Sequence, residues 1–128
     1  VAVPPQKVEA DGPKSGILAQ RSVFYDYDSY IVKDEFKPLV TAHAKYLTGN
    51  RAQKITVEGN TDVRGSREYN LALGQRRADS VKRIMSLLGV TDEQIETVSF
   101  GKEKPRANGD DESAHAQNRR SDIRYQGE

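Results

Sequence analysis

Cysteine and tryptophan are absent from the 128 residues, and methionine occurs once. Without a thiol the chain holds no disulfide framework, no thiolate metal site and no cysteine nucleophile. No apolar run approaches the roughly 20 residues that a membrane-spanning helix needs, and Val1 opens no signal-peptide pattern. A surplus of charge of one sign is missing too. Twenty basic and 19 acidic residues leave a net charge of +1, which gives no global field for nucleic acid or an anionic membrane. What is present is a polar chain, 35% hydrophobic and 30% charged, of a length that suits one domain with its own core.

Residues 1–15 carry three of the five prolines and no hydrophobic period. Residues 1–19 therefore read as a flexible tether or N-terminal arm, followed by a domain over residues 20–128. In "RSVFYDYDSY", Val23, Tyr25 and Tyr27 fall on one side of a first strand that ends near Asp28–Ser29. Phe36, Leu39, Val40, His43 and Leu47 recur at helical spacing from Asp34 to about Thr48, with Pro38 tolerable only in the first turn. "ITVEGN" alternates Ile55, Val57 and Gly59 against Thr56 and Glu58, a second strand. "DVRGSRE" is a turn with Ser66 as helix cap, and a long helix runs on to about Leu88, stopped by Gly89. "IETVSFG" is a third strand, "SAHAQN" a helical turn and "RRSDIRYQ" a last strand. The order predicts an α/β two-layer sandwich, β-α-β-α-β-β, with helices packed on a sheet.

The long helix carries a conflict. At 100° per residue, Leu71, Leu73, Ala78, Val81, Ile84, Met85 and Leu88 share an arc of about 160°. Asn70 and Arg77 lie inside that arc, seven residues and two turns apart. Three readings compete for Arg77. Its stem packs while the guanidinium reaches water, or it pairs with a buried acid, or it faces a cleft at the strand end and holds a ligand carboxylate in its planar fork. The "NTD" at the exit of the second strand places Asp62 near enough to support either of the last two. A cleft with Asp62 on one wall and Arg77 on another suits a zwitterion, with Asn70 adding neutral hydrogen bonds.

Other chemistry has weaker support. Glu58 and Asp62 on one strand stand about 13 Å apart, beyond the roughly 6.5–9.5 Å of an inverting carboxylate pair, so the chain is not predicted to be an enzyme. Asp26, Asp28 and Asp62 form no calcium loop, and no metal or cofactor is expected. His43 on the apolar face of the first helix reads as a packed histidine. Of the adjacent Arg119 and Arg120, strand alternation sends one to the cleft and leaves the other exposed; Arg119 is the choice for the cleft.

"TDVRGSREYNLALGQRRADSV" resembles the signature of the OmpA-like peptidoglycan-binding domains, and "SFGKEKPRANGDDESAHAQNRRSDIRY" resembles their closing segment. With "VFYDYDSY" the likeness covers about residues 20–126, and within the family it is greatest to a lipid-anchored branch of Gram-negative bacteria. The resemblance implies a mixed sheet and non-covalent binding of the peptidoglycan stem peptide at its meso-diaminopimelate. The residues it implies are Asp62 and Arg77 for the charged end, Asn70 and Arg64 in the same pocket, Tyr27, Asp28 and Ser29 as a wall, and Asn118 with Arg119 closing it. It further implies a lipid attached upstream, a place on the periplasmic face of the outer membrane, and the Tol proteins, TolB among them, as partners in envelope integrity and division. His115 stands where the family pattern has a large aromatic. The alternatives are a protein-interaction module whose Asp62–Arg77 pair is purely structural, or the wall-binding domain of a porin or flagellar stator protein.

Overall fold

The computed structural model describes residues 15–127. Four strands, β1 (Ser22–Phe24), β2 (Ile55–Asn60), β3 (Ile95–Gly101) and β4 (Arg120–Tyr125), form one sheet in the order β1-β4-β2-β3. β2 and β3 run parallel, whereas β4 is antiparallel to both β1 and β2, so the sheet is mixed. Three helices accompany it: α1 (Lys37–Thr48), α2 (Arg67–Leu87) and α3 (Glu112–Asn118). The predicted element order therefore holds, with the helical turn before the last strand grown into α3.

The core lies between α1, α2 and the sheet. Val23, Val40, Ala44, Leu47, Val57, Ala78, Val81, Met85 and Tyr125 are all fully buried there. Each valine, leucine or methionine among them contributes about 1.5–3 kcal/mol through removal from water. His43 joins them as a packed histidine, with Nδ1 2.7 Å from the Tyr125 hydroxyl and Nε2 2.8 Å from the Gln20 carbonyl. The carbonyl only accepts, so Nε2 carries a proton.

Two glycines set how α2 meets the sheet. A Cβ on Gly59 of β2 would lie 1.7 Å from the Gly74 carbonyl oxygen, and one on Gly74 would lie 2.3 Å from Ser99 Oγ. Helix backbone thus rests directly on strand backbone. Asn70, Gly74, Arg77, Ala78, Val81 and Met85 form the buried stripe of α2. Leu88, expected on the inner face, is instead the half-exposed residue that ends the helix.

Several boundaries differ from the sequence expectation. β1 stops at Phe24 rather than near Asp28, because the chain turns at 26–29, where Asp28 takes a left-handed φ of 57° and Ser29 N–H donates to the Asp26 carbonyl. Asp34–Phe36 is a 3-10 turn, which puts Pro38 in the first turn of α1, where its missing N–H costs no helix bond. Of the expected tether, residues 1–14 lie outside the described residues; Gly16–Ala19 forms an exposed 3-10 turn packed near α1.

Candidate functional site

The end of β2, the start of α2 and the 26–29 turn enclose a cleft of about 100 Å³, lined by Tyr27, Asp28, Thr61, Asp62, Arg64, Gly65, Tyr69, Asn70, Leu73 and Arg77. Drug-sized ligands use pockets of about 300–1,000 Å³. The cleft has room for the end group of a larger molecule, not for the whole of one.

Local sequence builds each wall. The strand register slips between Gly59 and Asn60, a bulge that re-aims the strand end. Thr61 N–H donates to the Gly101 carbonyl at 2.9 Å, holding the exit of β2 against that of β3. Gly65, at φ 93°, makes the turn possible. Ser66 then caps α2 by accepting from Tyr69 N–H at 3.1 Å, as its position before the helix predicted.

Arg77 is fully buried, so the reading in which its head reaches water fails. Its guanidinium donates to three main-chain carbonyls: Nε to Ser29 at 2.8 Å, Nη1 to Asn60 at 2.9 Å and Nη2 to Asp26 at 3.3 Å. It also lies 5.1 Å from the Tyr25 ring centroid, and the Tyr25 hydroxyl donates to the Arg77 carbonyl at 3.0 Å. Among the described residues it has no acidic partner within ion-pair distance, so the purely structural Asp62–Arg77 pair is not formed. Burial pushes the guanidinium down to about 10, against the raising influence of Tyr25 and Asp62. It is still charged at neutral pH. A guanidinium carries five N–H groups, and three go to carbonyls while the side chain still lines the cleft.

Asp62 uses its charge elsewhere. Its side chain is 7% exposed. Arg64 grips both oxygens, Nε to Oδ1 at 3.2 Å and Nη2 to Oδ2 at 2.8 Å, and Arg64 N–H adds a bond to Oδ1 at 3.0 Å. Arg119 Nη1 lies 3.7 Å from Oδ2. Burial opposes the carboxylate's charge, but the hydrogen bonds and charge of Arg64 outweigh it and hold Asp62 below the ordinary aspartate range. Arg64 in turn stacks on the exposed ring of Tyr27, 4.4 Å from its centroid. The charged residues lining the cleft are Asp28 and Asp62 against Arg64 and Arg77, so the lining is electrically balanced.

The remaining candidates divide. Asn70 lines the cleft and donates Nδ2 to the Arg64 carbonyl at 2.8 Å, fixing the turn. Ser29 contributes its carbonyl to Arg77 while its hydroxyl accepts from Ile31 N–H. Arg119 stands behind Asp62, with Nε donating to the Tyr25 carbonyl at 2.9 Å and Nη1 2.9 Å from Glu112. Asn118 is engaged away from the cleft. Its amide oxygen accepts from Arg106 and Ala107 N–H, and its amide nitrogen donates to the Ala107 carbonyl. The expected exposure of Arg120 is corrected: it is 6% exposed, because its guanidinium pairs with Asp122 and reaches the carbonyls of Asn118 and Lys104, under the loop after β3. His115 is buried, with Nε2 3.2 Å from Asp110 Oδ1. Among the described residues no group of three or more His, Asp or Glu is placed to hold a metal ion.

Residues 24–119, which span every wall of the cleft, match the OmpA family. The chain belongs to the OmpA family. It is 48% identical over 110 residues to the peptidoglycan-associated lipoprotein of Pasteurella multocida, an overlap of 84% of this chain and 73% of the relative. To the same protein of Pseudomonas aeruginosa it is 46% identical over 117 residues, covering 89% and 69%. The solved structure of the peptidoglycan-associated lipoprotein from Burkholderia pseudomallei superposes with a TM-score of 0.87 at 55% identity, over 88% of this chain and 96% of that one. The C-terminal domain of MotB from Helicobacter pylori gives a TM-score of 0.73 at 23% identity, covering 80% and 81%, a likeness of fold alone.

In this OmpA-family domain the parts of the site that sequence reasoning missed are mostly backbone. The carbonyls of Asp26, Ser29 and Asn60, which hold Arg77, leave no mark on residue identity. Thr61, Tyr69 and Leu73 line the cleft beside the residues expected there. Asp28 carried one usable signal, since aspartate is among the few residues enriched in left-handed backbone.

Proposed function

We propose that the domain binds peptidoglycan non-covalently, taking the side-chain end of meso-diaminopimelate in the stem peptide into the cleft, and that it is not an enzyme. One observation carries the reading: Asp62 and Arg77 line the same small cleft with opposite charges and are not paired with each other. The ligand end bears an ammonium and a carboxylate on one carbon. Asp62 takes the ammonium and the remaining N–H groups of Arg77 take the carboxylate, with Asn70, Tyr27 and Asp28 as flanking walls and Arg119 steadying Asp62 from behind. The curated relatives bear the name peptidoglycan-associated lipoprotein, which supports the wall as target and an upstream lipid as anchor to the periplasmic face of the outer membrane. Tether of membrane to wall is the resulting role, within the Tol-Pal system that supports envelope integrity and cell division. Tyr27, Tyr30, Ile31 and Tyr69 are exposed near the cleft or on the loop beside it, which supports TolB docking there in competition with the wall.

The test is calorimetric titration with a soluble muropeptide containing meso-diaminopimelate beside its lysine-containing analogue, which keeps the ammonium and lacks the adjacent carboxylate. The diaminopimelate ligand is expected to bind and the lysine analogue to bind far more weakly, and Asp62→Asn to lose at least tenfold in affinity, the size of a truncated charge-assisted contact. Equal affinity for both peptides would remove Arg77 as reader of the carboxylate.

A further inference from the structure

We propose that Arg64 is a specificity-determining residue: it occupies the ammonium position on Asp62 and yields it only to a ligand that offers a carboxylate in exchange. The inference rests on the diaminopimelate reading above and gives Arg64, expected in the pocket from the family likeness, a task of its own.

The geometry is that of an internal surrogate. Arg64 presents a two-pronged contact to both Asp62 oxygens, which is the place a ligand ammonium needs. Asp62 is nearly closed to water while the Arg64 side chain is 38% exposed, so Arg64 covers Asp62 from the mouth of the cleft and not from the core. Its platform is Tyr27, itself 63% exposed. Among the described residues the Arg64 guanidinium is hydrogen-bonded to Asp62 alone, and a rotation of the side chain on the tyrosine face releases Asp62. The backbone bond from Arg64 N–H to Asp62 Oδ1 survives that rotation, so the carboxylate stays oriented while its charge partner changes. By contrast Arg77, tied to three carbonyls, has no such freedom.

Charge balance gives the exchange its selectivity. The cleft lining holds two acids and two arginines. An ammonium entering by itself takes the place of Arg64 on Asp62 and sends the guanidinium toward water, so one ion pair is only traded for another. A ligand that brings a carboxylate next to the ammonium also hands the displaced guanidinium an anion at the cleft mouth, a short reach from where it began, so one ion pair becomes two. Arg64 therefore penalises a lone ammonium and rewards a zwitterion. Arg77 reads the carboxylate from inside the cleft; Arg64 reads it from the mouth.

Arg64→Gln separates the two roles, because it keeps the stem and the backbone donor while removing the cation. Both muropeptides are titrated into wild type and variant, after thermal melts show that the variant is folded. The lysine-containing peptide is expected to bind the variant about threefold to fivefold more tightly than wild type, and the diaminopimelate peptide to bind it less tightly by a similar factor, magnitudes set by a partly exposed ion pair. Preference for diaminopimelate then falls by about tenfold to twenty-five-fold. A wild-type preference that is unchanged in Arg64→Gln, or two ligands weakened equally, would overturn the exchange and leave the wall reading intact. Wild-type protein that binds neither peptide would overturn both.

Discussion

Arg77 shows how one side chain serves fold and ligand together. Its three carbonyl bonds join the 26–29 turn to the end of β2, so Arg77→Ala probes the fold as well as the ligand. Truncation orphans buried carbonyls and opens a cavity. A loss of about 3–5 kcal/mol is expected in chemical denaturation, a large part of the 5–15 kcal/mol typical of a domain. Asp62→Asn is the cleaner probe of binding, because its main partner is the half-exposed Arg64. Acid should expose the same asymmetry. The folded state holds the Asp62 carboxyl below its ordinary value, so its charge contributes stability above the unfolded value of about 3.9 and loses it as pH falls through the lower folded one. The stability difference between wild type and Asp62→Asn, measured in urea at a series of pH values, is therefore expected to be constant above about pH 5 and to shrink below about pH 4.

At the scale of elements, the contact between Gly59 and Gly74 fixes the distance from α2 to β2, and with it the position of Arg77 less than one turn further along the helix. Gly59→Ala drives a methyl group into helix backbone that no rotamer change can relieve. It is expected to cost about 3 kcal/mol, the upper end for overpacking, and to weaken ligand binding through displacement of α2. Thermal melts and the same titration check this. The elements themselves were legible because their patterns were strong: period two in "ITVEGN", period 3.6 in α2 and α1, serine before the long helix and glycine after it. β1 was overextended for a physical reason. Tyr25 and Tyr27 have strand propensity, but the turn at Asp28 and the pull of Arg77 on the carbonyls of Asp26 and Ser29 override it.

For the molecule as a whole, the mixed character of the sheet came from likeness to a known family and the order β1-β4-β2-β3 was not anticipated, since no single strand encodes its neighbour. The site was half visible. Polar side chains on an apolar helix face marked Arg77 and Asn70, and the strand exit marked Asp62. What was hidden is the pairing: Asp62 with Arg64, Arg77 with backbone, Asn118 with the loop at 106–107. Composition does not show which donor meets which acceptor when several of each converge. For the proposed tether a modest affinity per domain suffices, because many copies held on one membrane beside one polymer would bind at high effective concentration.

The clasp on Arg77 also has a mechanical meaning. If the chain is anchored through its N-terminus and holds the wall in the cleft, tension between the two enters at the ligand and passes through the guanidinium into the carbonyls of Ser29, Asn60 and, nearest the anchor, Asp26. That carbonyl lies two residues beyond β1. From there the pull runs back along β1 to the anchor, and α1, β3 and α3 stand outside the line. The strand beside the anchor works as a shackle, and the rest of the domain keeps the shackle shut.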